Sequence, residues 1–194
     1  MGGSLAIASV TAILKHQIEN GLVEQDVSAA VSGEIIVTVQ APDKIKLGDD
    51  EERPQINLFL YQVMPNTGLR ASDAERQRGQ LLSLDLYYLL TAYGPGDYQM
   101  EMLLGSAMQV LQRLATLERT KVQSVLAALS RTGGGRIPSP QAAALAASAL
   151  ATQLERIVVV PQFLKLDEMS KLWGMFETRY RPSVVYKVSV VVVE

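Results

Sequence analysis

Apolar and polar positions along this chain repeat with two periods, and the switches between them mark its elements. Ile7, Val10, Leu14 and Ile18 recur at helical spacing behind Ser4, a residue type suited to N-capping. Asn20-Gly21 then reads as a stop, which predicts an amphipathic helix over about 5–20. "GEIIVTVQAP" is a β-branched run ended by Pro42 and predicts a strand near 34–40. In "INLFLYQVM", Ile56, Leu58 and Leu60 point one way and Phe59, Tyr61 and Val63 the other. In "LLSLDLYYLLTAYG", Leu82, Leu84, Leu86, Tyr88 and Leu90 oppose Leu81, Ser83, Asp85, Tyr87 and Leu89, a strand over 81–93. Strands apolar on both faces belong to a sheet covered on both sides.

The second half reads more helically. After Gly94-Pro95-Gly96, Asp97 is placed to cap a helix whose stripe is Met102, Leu103, Met108, Val110, Leu111 and Leu114. A further helix is expected over about 119–130, then a glycine-rich linker, "SRTGGGRIPSP", then an alanine-rich helix opened by Ser139-Pro140. "IVVVPQFLKL" reads as a strand in which Pro161 signals an edge, a bulge or a short pairing. Asp167 is expected to cap one more turn carrying Met169, Leu172, Trp173 and Phe176, a stripe best read as packing. The last strand, about 183–193, is the greasiest of all. Something must cover it: the rest of this chain or another chain.

Composition narrows the class. The 194 residues are 48% hydrophobic and 20% charged, with a formal net charge of −2, which fits a single globular domain over 1–194. That balance gives no electrostatic reason to expect nucleic acid as a partner. The opening apolar run is broken by Lys15 and lacks a basic lead, so neither a signal peptide nor membrane insertion is expected. The chain has no cysteine, so disulfides, thiolate catalysis and thiolate-bound metal are excluded. His16 is its only histidine and sits mid-helix. No phosphate-binding, dinucleotide, zinc-protease or nucleophile-elbow motif is present. The acidic cluster Asp49 to Glu52 lacks calcium-loop spacing and reads as a solvated loop. Asp85, alone in its strand, is expected to pair with a neighbour. No catalytic residue, cofactor or metal site is therefore assigned, which lowers the odds of an enzyme. Arg179, Tyr180 and Arg181 are candidate contact residues, because arginine and tyrosine are enriched at protein interfaces.

Three stretches together then carry a resemblance: "INLFLYQVMPNTGLR" (56–70), "LSLDLYYLLTAYG" (82–94) and "LDEMSKLWGMFETRYRPSVVYKVSVVVVE" (166–194). With the opening "AIASVTAILKHQIENGL", they resemble the cap, or tail-terminator, family of extracellular contractile injection systems, phage-tail-like bacterial particles. The resemblance implies an α/β (α+β) fold, a mixed β-sheet flanked by helices. It implies a structural cap that ends the inner tube and contractile sheath at the baseplate-distal end. The implied partners are further copies in a hexameric ring and the sheath and tube proteins. Assembly is expected in the bacterial cytoplasm, on a particle either released or membrane-tethered. The span 117–153 does not match and reads as a variable helical insertion.

Two contact hypotheses follow. Strand addition at the valine-rich terminus, Val190 and Val192 included, or at a neighbouring edge, would join the cap to the sheath. The loop after Pro65, with Asn66, Leu69 and Arg70, would meet a subunit or the tube. The alternatives are another ring-forming tail component, such as a tube–baseplate adaptor, and more remotely a hydrolase built on carboxylates alone.

Overall fold

The computed structural model describes residues 5–31, 33–45, 53–66, 81–131 and 154–193. Its elements run α1 (Ala6–Glu24), α2 (Val27–Ala30), β1 (Ile36–Thr38), β2 (Gln55–Pro65), β3 (Leu81–Tyr93), α3 (Gln99–Arg113), β4 (Thr116–Glu118), α4 (Arg119–Arg131), β5 (Leu154–Gln162), α5 (Leu166–Met175) and β6 (Ser183–Val193). The strands form one sheet in the order β1-β2-β3-β6-β5-β4. Only the β1–β2 pair is parallel. The expected mixed sheet with flanking helices is what the chain forms.

The first helix runs through its expected stop. Gly21 is buried inside α1, and a Cβ there would lie 2.4 Å from Val110 Cγ2 of α3. The glycine therefore lets two helices approach closely and does not end the first one. The turn falls later, at Asp26, whose φ of 51° is left-handed. Two expected caps also move. Tyr98, with a φ of 65°, and not Asp97, precedes α3. Lys165, and not Asp167, precedes α5, and its backbone nitrogen donates to Glu168 Oε2 at 2.8 Å. The short strand β4 was not expected; three residues are too few to show a period.

The sheet is covered unequally. On one face α1, α3 and α4 bury a continuous core that includes Ile13, Leu14, Ile56, Leu58, Tyr88, Leu90, Leu111, Ile157 and Val188. Tyr88, fully buried there, shares a 2.8 Å hydrogen bond with Thr11 of α1. On the other face, among the described residues, α5 lays Met169, Leu172 and Trp173 over Leu89 and Val185. Beyond α5 that face turns polar and half-exposed, with Ser83, Asp85, Lys187 and Ser189. Alternation along β2 fails midway, because the pairing register slips between Leu60 and Gln62. The slip moves Val63 to the face opposite the one its spacing implies, since one extra residue inverts everything after it. Met102, placed in the expected stripe of α3, is partly exposed, and Ala107 takes the buried position.

The greasy C-terminal strand is covered by its own chain. β6 pairs with β3 along Ser183–Val193 and with β5 along Val185–Val192. Pro161 lies where β5 has run past β4, so its missing N–H costs no ladder bond on that side. Of the span 117–153, Leu117, Val122, Val125 and Leu126 are buried in the common core. The glycine-rich stretch from Thr132 on, the alanine-rich segment up to 153 and the acidic cluster at 49–52 lie outside the described residues, and Leu154–Arg156, expected to end the alanine-rich helix, open β5 instead.

His16 is buried in α1, and Asn20 Nδ2 lies 3.1 Å from its Nε2. Burial pushes the imidazole below its ordinary value of about 6.5; Glu19 opposes this and Lys15 adds to it. A depressed histidine binds its proton more readily unfolded than folded. Stability is therefore full above the unfolded value and falls as pH drops below about 6.5 toward the folded value. The denaturation midpoint should fall more between pH 7.5 and 5.5 for the native chain than for His16→Gln. Equal falls would mean that His16 stays neutral-indifferent to folding.

Candidate assembly surface

The two sequence stretches that carry the resemblance at 56–70 and 82–94 turn out to be neighbours. β2 and β3 pair antiparallel from Gln55↔Tyr93 to Pro65↔Leu84. At the end of this pair Asn66 donates its backbone N–H to Ser83 O at 3.0 Å and its Nδ2 to Asp85 Oδ1 at 2.8 Å. Asp85 also accepts from Ser189 Oγ at 2.6 Å and lies 3.9 Å from Lys187 Nζ. The lone strand aspartate is thus paired, as expected. Asn66 is held by its own chain, which gives its identity a structural reason independent of any partner. Leu69 and Arg70 lie outside the described residues.

The other candidate contacts divide. Arg179 and Tyr180 are exposed, although the Tyr180 ring also meets Trp173 edge-on at 5.8 Å. Arg181 is engaged internally: its guanidinium lies 5.9 Å from the Tyr93 ring centroid, and Nη1 lies 3.5 Å from Met100 Sδ. Val190 is buried in the core, and Val192 pairs through its backbone with both Leu82 and Leu154. Along Val185–Val192 β6 has β3 on one side and β5 on the other, so strand addition would fall to the other alternative, a neighbouring edge. Its apolar character serves an interior position, with neighbours on both sides.

Free edges lie elsewhere among the described residues, at β1 and β4. Asn57 builds the β1 edge. It is fully buried, accepts from Thr38 Oγ1 at 2.8 Å and Gln40 N at 3.0 Å, and donates to Gln40 O at 2.9 Å. Its amide thus stands in for a strand and extends the hold on β1 beyond its short ladder. A second latch is Gln99, which donates to Val31 O at 2.9 Å and accepts from Gly96 N at 3.1 Å. Sequence reasoning missed both. A polar residue flanked by Ile56 and Leu58 was the available signal for Asn57.

Among the described residues two grooves are well defined. One, about 640 Å³, is lined by Leu22, Ile35 and Val37 and by the carboxylates of Glu19, Asp26 and Glu34, with no cation in its lining. The other, about 480 Å³, runs between α3 and the end of β5 and includes Arg113 and Phe163. Among the described residues no three acidic or histidine side chains converge as metal ligands. No described helix is long and apolar enough to cross a membrane.

A sheet with this layout can be compared with known proteins. The model of the Pvc16 N-terminal domain matches residues 9–194. The chain belongs to that family. The family's model spans the described elements from α1 to β6, so the sheet and its helices are the family domain. No curated protein matches the chain by sequence. Solved structures share its fold, two of them as follows. One is the sheath/tube terminator, in the extended state, of the extracellular contractile injection system PVC. It is 17% identical with a TM-score of 0.57, and the match covers 97% of this chain and 56% of that one. The other is the tube-terminating cap of the anti-feeding prophage, 14% identical with a TM-score of 0.51, covering 90% of this chain and 54% of that one. This member of the Pvc16 N-terminal domain family thus spans a little over half the length of the solved chains it matches.

Proposed function

We propose that this chain caps a contractile injection particle, ending the inner tube and sheath at the baseplate-distal end as a sixfold ring. One observation carries the reading: a fold match over 97% of the chain to a protein that terminates sheath and tube. The family match over residues 9–194 points the same way. The mechanism is one of shape. A tube or sheath grows because each ring presents an edge that the next can bind. A terminator binds that edge and offers no equivalent one, so growth stops without turnover of any compound and without a cofactor. The partners are further copies, the sheath protein and the tube protein. Assembly takes place in the bacterial cytoplasm, on a particle that is afterwards released or tethered.

The test is particle length. Bacteria lacking the protein that carries this chain should yield particles of broadly scattered length by electron microscopy, restored to one length by complementation. Unaltered length, or gold labelling at the spike end, would overturn the reading in favour of an adaptor.

A further inference from the structure

The two free edges of the sheet are not alike. β4 is three residues long, carries a charge at Glu118, and has its apolar side chain, Leu117, already buried in the core. Where β5 runs on beyond β4, Pro161 has no N–H to offer. Short length, charge and proline are the means by which natural sheets blunt their edges. β1 uses neither charge nor proline. Ile35, Ile36, Val37, Thr38 and Val39 are all β-branched. The main chain of β1 is also set to receive a neighbour. Ile36 N bonds inward to Pro54 O, and Gln40 bonds inward, through its N and O, to the Asn57 side chain. Alternation turns the backbone groups of Val37 and Val39 outward.

The groove of about 640 Å³ opens beside this edge. Ile35 and Val37 line it from the strand, Val37 on the face that carries Ile56, and Leu22 and Val23 line it from α1. Val23 is 78% exposed. A strand laid against β1 would turn alternate side chains into this groove. The charged groups in the lining are all carboxylates: Glu19, Asp26 and Glu34. Lys15 pairs with Glu19, and Lys44 pairs with Asp43. Among the described residues from 19 to 54, that leaves Arg53, exposed before Pro54 and outside the lining, against exposed Glu24, Asp26 and Glu34. The balance favours a cation on whatever enters.

We propose that β1 takes up, as a further strand, an extended segment of another protein, in which alternate apolar residues enter the groove and a lysine or arginine faces Asp26 and Glu34. Main-chain bonds supply the hold, and the groove supplies the selection. The free edge of a second copy does not fit the same place, because the side chain it would turn into the groove, Leu117, is committed to its own core. The inference rests on the cap reading only for the particle to which the partner belongs. Particle length tests the cap, whereas the experiment below tests the edge.

The probe is a random library of short peptides displayed on phage, panned on the purified protein with Val39→Pro as counter-selection. Val39 is 41% exposed and its N–H points outward, so proline there removes a donor to the newcomer and no bond to β2. Circular dichroism checks that this variant is folded; were it not, Asp26→Asn with Glu34→Gln takes its place, since asparagine suits the φ of 51° at Asp26. Peptides enriched on the native chain should alternate apolar residues and carry lysine or arginine. A synthetic copy of the leading peptide should protect the amides of Val37 and Val39 from hydrogen exchange and leave those of Thr116 and Glu118 unchanged. The Asp26→Asn, Glu34→Gln protein should bind it about tenfold more weakly at low salt. The difference should shrink as salt is raised. No enrichment, an acidic consensus, protection at β4 in place of β1, or equal affinity for the charge variant would overturn the proposal. Self-association of the native chain that Val39→Pro abolishes would overturn it too, by making a second copy the occupant.

Discussion

Trp173→Ala is expected to lower folding stability by about 3–5 kcal/mol, the usual range for truncating a buried aromatic residue. That is a large share of the roughly 5–15 kcal/mol that holds a typical domain together. Trp173 is only 2% exposed and lies over Leu89 and Val185. Its ring meets Phe176 at 6.1 Å and Tyr180 at 5.8 Å, both edge-on, and Nε1 donates to Ser183 Oγ at 3.1 Å. Phe176 in turn meets Phe59 of β2 at 5.6 Å, so the indole joins α5 to two strands at once. Without it, α5 keeps Met169 and Leu172 but loses the centre of its contact. Trp173→Phe should cost less, since it retains most of the apolar contact and gives up the hydrogen bond to Ser183. Urea unfolding followed by circular dichroism measures both. A cost below about 1 kcal/mol for the alanine variant, against that same expected range, would show that α5 is held by something other than the indole.

Asn57→Ala is expected to cost about 2–3 kcal/mol and to loosen β1 selectively. The substitution orphans the N–H and C=O of Gln40 and removes an acceptor from Thr38 Oγ1. Each unsatisfied buried polar group costs roughly 1–3 kcal/mol, and the exposure of Gln40 keeps the total toward the low end. Thr38 retains a bond from Gln55 Nε2 at 2.8 Å, which limits the loss at that residue. Hydrogen exchange should show the amides of residues 38–40 losing protection while those of β3 and β6 keep theirs. Uniform loss across the sheet would mean that Asn57 stabilises the whole fold and not the edge.

How legible was this surface before the fold was known? Asp85 was readable as paired from its isolation in an apolar strand, and Trp173 as packing from its helical spacing with Met169 and Leu172. Gly21 was misread, because Asn-Gly is a stop signal in local terms. Its reason for being glycine sits nearly ninety residues away, in Val110. Val63 changed faces at a bulge that no single strand announces, since a bulge is a property of a pair. Val190 and Val192 were expected at a joint because a strand of valines needs cover. That requirement was sound, and this chain supplies it: Val188 and Val190 join the core under α1, α3 and α4, while β3 and β5 take the strand's two edges.

Local periodicity, then, determined by itself the longer helices and strands among the described residues, most of their apolar faces, and that no familiar catalytic motif is present. It could do so because these properties depend on residues within a few positions of one another. Only the tertiary structure decided the strand order, the interior place of β6 and the latch at Asn57. Those arise from contacts between residues far apart in the chain, where pairing and close helix packing are chosen by the whole set of elements together.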